Sequence, residues 1–148
     1  MRYFTITVIG GIGLWLTAIA SAADAPLADA VERQDAALVQ RLLADGVAVD
    51  QTQADGMTAL HWAAHHDDLA TAKRLIAAGA DAKAANRYGV TPLSLACTNG
   101  NGALVERLLD AGADPNGALR GGETVLMTAA RTGRLAPVKS LLACGADV

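Results

Sequence analysis

The sequence predicts an all-α solenoid of stacked helix-turn-helix units joined by extended loops. Two observations carry this. First, threonines open three similar stretches at Thr58, Thr91 and Thr124, a step of 33 residues each time. Glycines keep that step at Gly46, Gly79, Gly112 and Gly145, and again at Gly56, Gly89 and Gly122. A fixed period of about 20–50 residues marks an architecture of stacked units rather than a globular fold. Second, the chain is 52% apolar but only 3% aromatic, so its core must be built from Ala, Leu and Val. Such a core suits thin helices in close approach.

The N-terminus reads as an address. Met1 and Arg2 precede an uncharged run from Tyr3 to Ala23 that ends in Ala20-Ser21-Ala22. A short basic start, an apolar middle and small residues before a cleavage point are the three parts of a secretory signal. Residues 1–22 are therefore expected to be removed before Ala23, or one residue later, and the mature chain to be periplasmic or secreted. An uncleaved anchor is the competing reading, because the run approaches the roughly 20 residues needed to span a bilayer. Gly10, Gly11 and Gly13 weaken it. After cleavage no membrane association is expected. The net charge is −3 and becomes more negative when Arg2 leaves, which argues against non-specific nucleic-acid binding.

The first unit, residues 25–57, is degenerate. It keeps Leu27, Ala30, Leu38, Val39, Leu42, Leu43 and Gly46 but places Asp29 where the next units carry Trp62 and Leu95, and follows with Glu32 and Arg33. A terminal unit has one face without a neighbour, so polar substitutions mark it as the N-terminal cap.

The second and third units, residues 58–90 and 91–123, and the incomplete fourth, 124–148, show why each residue type recurs. Thr58, Thr91 and Thr124 are placed to cap first helices. Pro92 falls at a first helical position, where its missing donor is harmless. Ala63, Ala96 and Ala129 are small so that helices can approach. Second helices bury Leu75 and Ile76, Leu108 and Leu109, and Leu141 and Leu142, and stop at the recurring glycines. Asp81, Asp114 and Asp147 can then bond backbone N–H groups in the following turn. Pro137 lies in a first turn and should not break its helix. The fourth unit stops mid-motif with internal-type apolar residues, so the expectation is that the chain belongs to a longer repeat protein.

The motifs T-x-L-x-x-A and Gly-Ala-Asp, at this period over roughly residues 25–148, resemble the ankyrin repeat. The resemblance implies a non-catalytic protein–protein interaction scaffold, monomeric and without a cofactor. It implies that loop tips and the exposed ends of first helices line one concave binding surface. Carried onto this chain, that surface holds Met57 with His65 and His66, then Arg87, Tyr88 and Val90, then Arg120, Glu123 and Arg131. Ala54, Asp55, Thr98, Asn99, Gly121 and Thr132 complete it. Arg87, Tyr88, Arg120 and Arg131 make a positive patch with an aromatic, and Arg and Tyr are enriched in binding hot spots. An acidic protein or peptide is the expected partner.

The sequence admits two other readings. A metal-dependent activity could use His61, His65, Asp67 or Asp68, because His61 and His65 are four apart on a helix. The intervening Trp62-Ala63-Ala64 lacks the glutamate of a metalloprotease motif, and the resemblance gives His61 a role in internal hydrogen bonds. Alternatively, the chain is a regulatory or targeting segment of a larger exported protein. No nucleophile motif or phosphate-binding loop supports an enzyme. Cys97 and Cys144 are expected at opposite ends of their units, too far apart to bridge.

Overall fold

A computed structural model describes residues 25–148, and the expected signal segment lies outside the described residues. These residues form four helical pairs: α1 (Pro26–Glu32) and α2 (Ala36–Ala44), α3 (Ala59–His65) and α4 (Leu69–Ala77), α5 (Pro92–Asn99) and α6 (Gly102–Asp110), α7 (Val125–Arg131) and α8 (Leu135–Ala143). First helices stack in the order α1, α3, α5, α7, and α4, α6 and α8 stack beside them. Among the described residues the β-structure is one isolated antiparallel bridge, Ala118 to Thr124.

Capping chemistry sets where each helix begins. Thr58, Thr91 and Thr124 sit in extended backbone and their hydroxyls accept from the N–H of His61, Ser94 and Met127. Second helices use a different set that the sequence reading missed. Asp35, Asp68 and Asn101 accept from Leu38, Thr71 and Leu104 at 3.0, 3.0 and 3.1 Å. The fourth in this series, Arg134, makes no side-chain cap.

The turn within each pair needs a left-handed residue. Gly100 and Gly133 supply it at φ 73° and 70°, but Gln34 and Asp67 adopt it at φ 57° and 59°. Asp67 is partly compensated, since its carboxylate accepts from the Asn101 side chain at 2.7 Å. Asp67 thus replaces the glycine found at Gly100 and Gly133 and keeps the turn.

The core runs along the stack. Leu27, Leu60, Leu75, Leu93, Leu104, Leu108 and Leu141 are fully buried, and Ala63, Ala96 and Ala129 lie between first helices with no exposure. Close approach is most demanding at Gly102, where an added Cβ would collide with the Cβ of Ala136. One expectation fails: Leu142 is 45% exposed, whereas its counterpart Leu109 is 8% exposed beneath the fourth pair. No helix among the described residues lies beyond α8 to cover it.

Adjacent loops are tied backbone to backbone. The Arg87 N–H donates to the Asp55 carbonyl at 3.0 Å, and Gly56 packs against the backbone of Asn86 and Arg87. Asx-type turns follow the second helices: Asp81 accepts from the Lys83 N–H and Asp114 from the Asn116 N–H, at 2.8 and 2.9 Å. Asp147 instead donates its own N–H to the Asn116 side chain at 2.7 Å. Together these contacts tie each loop to the next.

Candidate partner-binding surface

Loops and first helices meet on one face, and polar side chains hold them there. His61 is the clearest example. It is fully buried, and its Nδ1 accepts from the Thr58 N–H at 3.2 Å and lies 2.8 Å from the Thr58 hydroxyl. Its Nε2 lies 3.0 Å from the Val90 carbonyl in the next loop and donates to it. Burial pulls the imidazole pKa below its ordinary value, an effect only partly offset by the Val90 bond and the Asp55 charge. A neutral ring with Nδ1 bare is the state this geometry needs, because a protonated Nδ1 could not accept from Thr58.

The proposed metal cluster is corrected by that arrangement. His61 has no lone pair left to give. Asp67 faces Asn101, and Asp68 caps α4. Burial alone would raise the Asp68 pKa, but hydrogen bonds from Thr71 and Ala70 and the charge of Arg74 outweigh it and hold the carboxyl low. Among the described residues no three His, Cys, Asp or Glu side chains are grouped to hold a metal. Both cysteines are free; Cys97 is buried, its thiol pushed up to about 12 by desolvation, and Cys144 is exposed.

The surface residues divide into those that present themselves and those that support. Arg87 and Arg120 are exposed on neighbouring loop tips, and Tyr88, next to Arg87 in the chain, is 65% exposed. The stem of Arg120 lies over Gly89, which places the two tips in contact. Arg131 is exposed but bonds Glu123 at 2.9 Å, and Glu123 also accepts from the Thr128 hydroxyl at 3.0 Å. His65 is exposed and stands edge-on to Trp62, with ring centroids 5.5 Å apart. His66 is half-buried, stacks on Trp62 at 5.9 Å and donates to the Glu32 carbonyl at 3.0 Å.

Two residues expected at the binding edge turn out to be supports. Met57 is buried and its sulfur accepts from the Asn86 amide at 3.4 Å. Val90 is half-buried and contributes mainly its backbone: its carbonyl accepts from the His61 Nε2–H and its N–H donates to the Asn86 side-chain oxygen at 2.9 Å.

The sequence reading also missed the organisers. Gln53 donates to Asp29 and to Glu32, each at 2.7 Å, and accepts from the Trp62 indole at 2.7 Å. Asn86, one period later, holds the N–H groups of Tyr88 and Val90 at 2.9 Å. Two polar amides at one period position were a usable signal.

A family model described as ankyrin repeats (3 copies) matches residues 27–118, and a second, ankyrin repeat, matches residues 121–148. The chain belongs to the ankyrin-repeat family. A search of curated proteins finds no significant match. The stacked pairs, the buried Thr58–His61 cap and the loop ladder are how this ankyrin-repeat chain builds the family's scaffold for protein–protein interaction. No helix among the described residues is long and apolar enough to cross a membrane. The ankyrin-repeat stack presents an open, polar groove of about 550 Å³ at its helix turns, lined by Asp67, Asn99, Asn101 and Arg134. Its form is unlike the enclosed, mostly apolar sites that bind small molecules.

Proposed function

We propose that this chain is an exported, monomeric, non-catalytic scaffold that binds an acidic protein or peptide surface through the loop tips that lead into its third and fourth units. The leader at residues 1–22 supports export. The observation that carries the partner reading is the exposure of Arg87, Tyr88 and Arg120 on two adjacent loop tips. The one ion pair among the described residues is Arg131–Glu123, so Arg87 and Arg120 keep their charge available. Exposed guanidinium groups recognise carboxylates with two parallel hydrogen bonds, which suits an acidic surface.

The test is capture from periplasmic extract with the mature chain and with Arg87→Ala, Tyr88→Ala, Arg120→Ala combined. Hot-spot truncations cost about 2 kcal/mol or more each, so the triple variant should lose the partner. Its melting should change little, because exposed substitutions stay within about 0.5 kcal/mol. Undiminished capture by a folded triple variant would refute the reading.

One observation favours a second reading, a regulatory or targeting segment of a larger exported protein. Met127 and Leu142 are 59% and 45% exposed at positions where Ser94 and Leu109 are covered by the following unit. Apolar side chains left uncovered where the equivalent positions are covered point to an interaction site. The native reading frame beyond Val148 decides between the two readings.

A further inference from the structure

Four equivalent positions, one per unit, run along the ends of the first helices: Glu32, His65, Thr98 and Arg131. The side chain passes from anionic to cationic along the stack. The loop tips follow the same course, from Ala54-Asp55 through Arg87-Tyr88 to Arg120-Gly121. Around the first unit the face carries Asp29, Glu32 and Asp55 against Arg33; the two loop tips that lead into the third and fourth units, with the end of α7, carry Arg87, Arg120 and Arg131 against Glu123. Only Arg131 and Glu123 neutralise each other among the described residues.

The anionic end is held in place by a neutral group. Asp29 and Glu32 both point an oxygen at the Gln53 amide nitrogen, each at 2.7 Å. The same Gln53 accepts from Trp62, on which His66 stacks. A neutral amide orders two carboxylates without cancelling their charge, and it sets them beside a half-buried indole. Carboxylates next to an aromatic ring are the chemistry that recognises a lysine or arginine side chain, through charge and the cation–π attraction.

We propose that the partner is a protein segment of two-signed charge. Its cationic side chains sit over Asp29, Glu32 and Trp62, and its acidic side chains sit over Arg87 and Arg120. This rests on the acidic-partner reading and extends it. A uniformly acidic ligand would meet like charge over the first unit, and like-charge juxtaposition rejects partners. The gradient also fixes which way along the stack the segment lies.

Four synthetic peptides test this at low ionic strength, where exposed charges are least screened. One carries a glutamate block, one a lysine block, one both blocks joined by a Gly-Ser spacer, and one the same charges alternating. Binding is read by peptide anisotropy and by Trp62 emission in the full chain with Trp15→Phe, which leaves Trp62 as the only tryptophan. The two-block peptide should bind about tenfold more tightly than the glutamate peptide, as expected when a second contact becomes intramolecular. It alone should bind tightly and change Trp62 emission together. Asp29→Asn with Glu32→Gln keeps the hydrogen-bond acceptors for Gln53 and should remove that advantage while leaving glutamate-peptide binding intact. Equal affinity of the two-block and glutamate peptides would overturn the two-signed partner and leave the acidic partner standing. Equal binding of the alternating peptide would also overturn it. Binding by none of the four would overturn both readings.

Discussion

Replacing His61 with alanine is expected to destabilise the chain by about 3 kcal/mol, read as a shift in the denaturant midpoint. Three losses combine. The Val90 carbonyl loses its donor, the Thr58 N–H loses its acceptor, and a fully buried ring leaves a void. An unsatisfied buried polar group costs about 1–3 kcal/mol, and cavities add to this. The third unit supplies a natural control. Ser94 stands at the matching position and accepts from the Thr91 N–H at 3.0 Å by itself. His61→Ser should therefore keep the local cap and lose the tie to the next loop, making it about 1 kcal/mol milder than His61→Ala.

The same residue gives the stability a pH dependence with a definite sign. Its folded pKa lies below the unfolded value of 6.5 because burial disfavours the charged ring. Above 6.5 both states hold a neutral ring and His61 contributes no slope. As the pH falls below 6.5, the unfolded chain takes the proton first, so stability drops until the folded pKa is reached. Urea titrations across this window should show a steeper acid-side loss for the native chain than for His61→Ser.

Gly56→Ala is expected to cost about 2–3 kcal/mol, although it adds one methyl group in a loop. Gly56 has φ +89°, and its new Cβ would lie 3.1 Å from the Asn86 Cα and 3.2 Å from the Arg87 nitrogen. Those atoms are backbone and cannot swing aside. Left-handed backbone costs an L-residue roughly 1–2 kcal/mol, and displacement of the next loop adds to it. Gly122→Ala isolates the first component, since Gly122 has φ +81° with nothing within 4 Å of the new atom. The difference between the two variants measures how tightly the loops stack. Because the displaced loop carries Arg87 and Tyr88, Gly56→Ala should also weaken partner capture, whereas Gly122→Ala should weaken it less.

The scaffold was legible because each of its physical requirements recurs at one spacing. Thr58, Thr91 and Thr124 announce helix starts, and the Leu pairs with the closing glycines announce helix ends. The second-helix caps were less visible, since Asp35, Asp68 and Asn101 are not identical residues and a short polar side chain has many other uses. Surface assignment was harder still. Met57 shares its period position with Glu123, yet it is buried, because the direction in which a loop side chain points depends on the loop's fold and not on its register. The ion pair between Arg131 and Glu123 likewise comes from proximity of a loop and a helix end that are eight residues apart in sequence. Polar amides such as Gln53 and Asn86 are common in loops, so only their matched positions hinted at their organising role.

Amide hydrogen exchange of the chain with and without its captured partner tests most directly whether binding uses the loop and first-helix face. The expected result is partner-dependent protection at residues 87–90 and 120–123 and at the C-terminal ends of α5 and α7, with α4 and α6 unchanged. Protection confined to α4 and α6, with the loop tips exchanging as in the free chain, would contradict it.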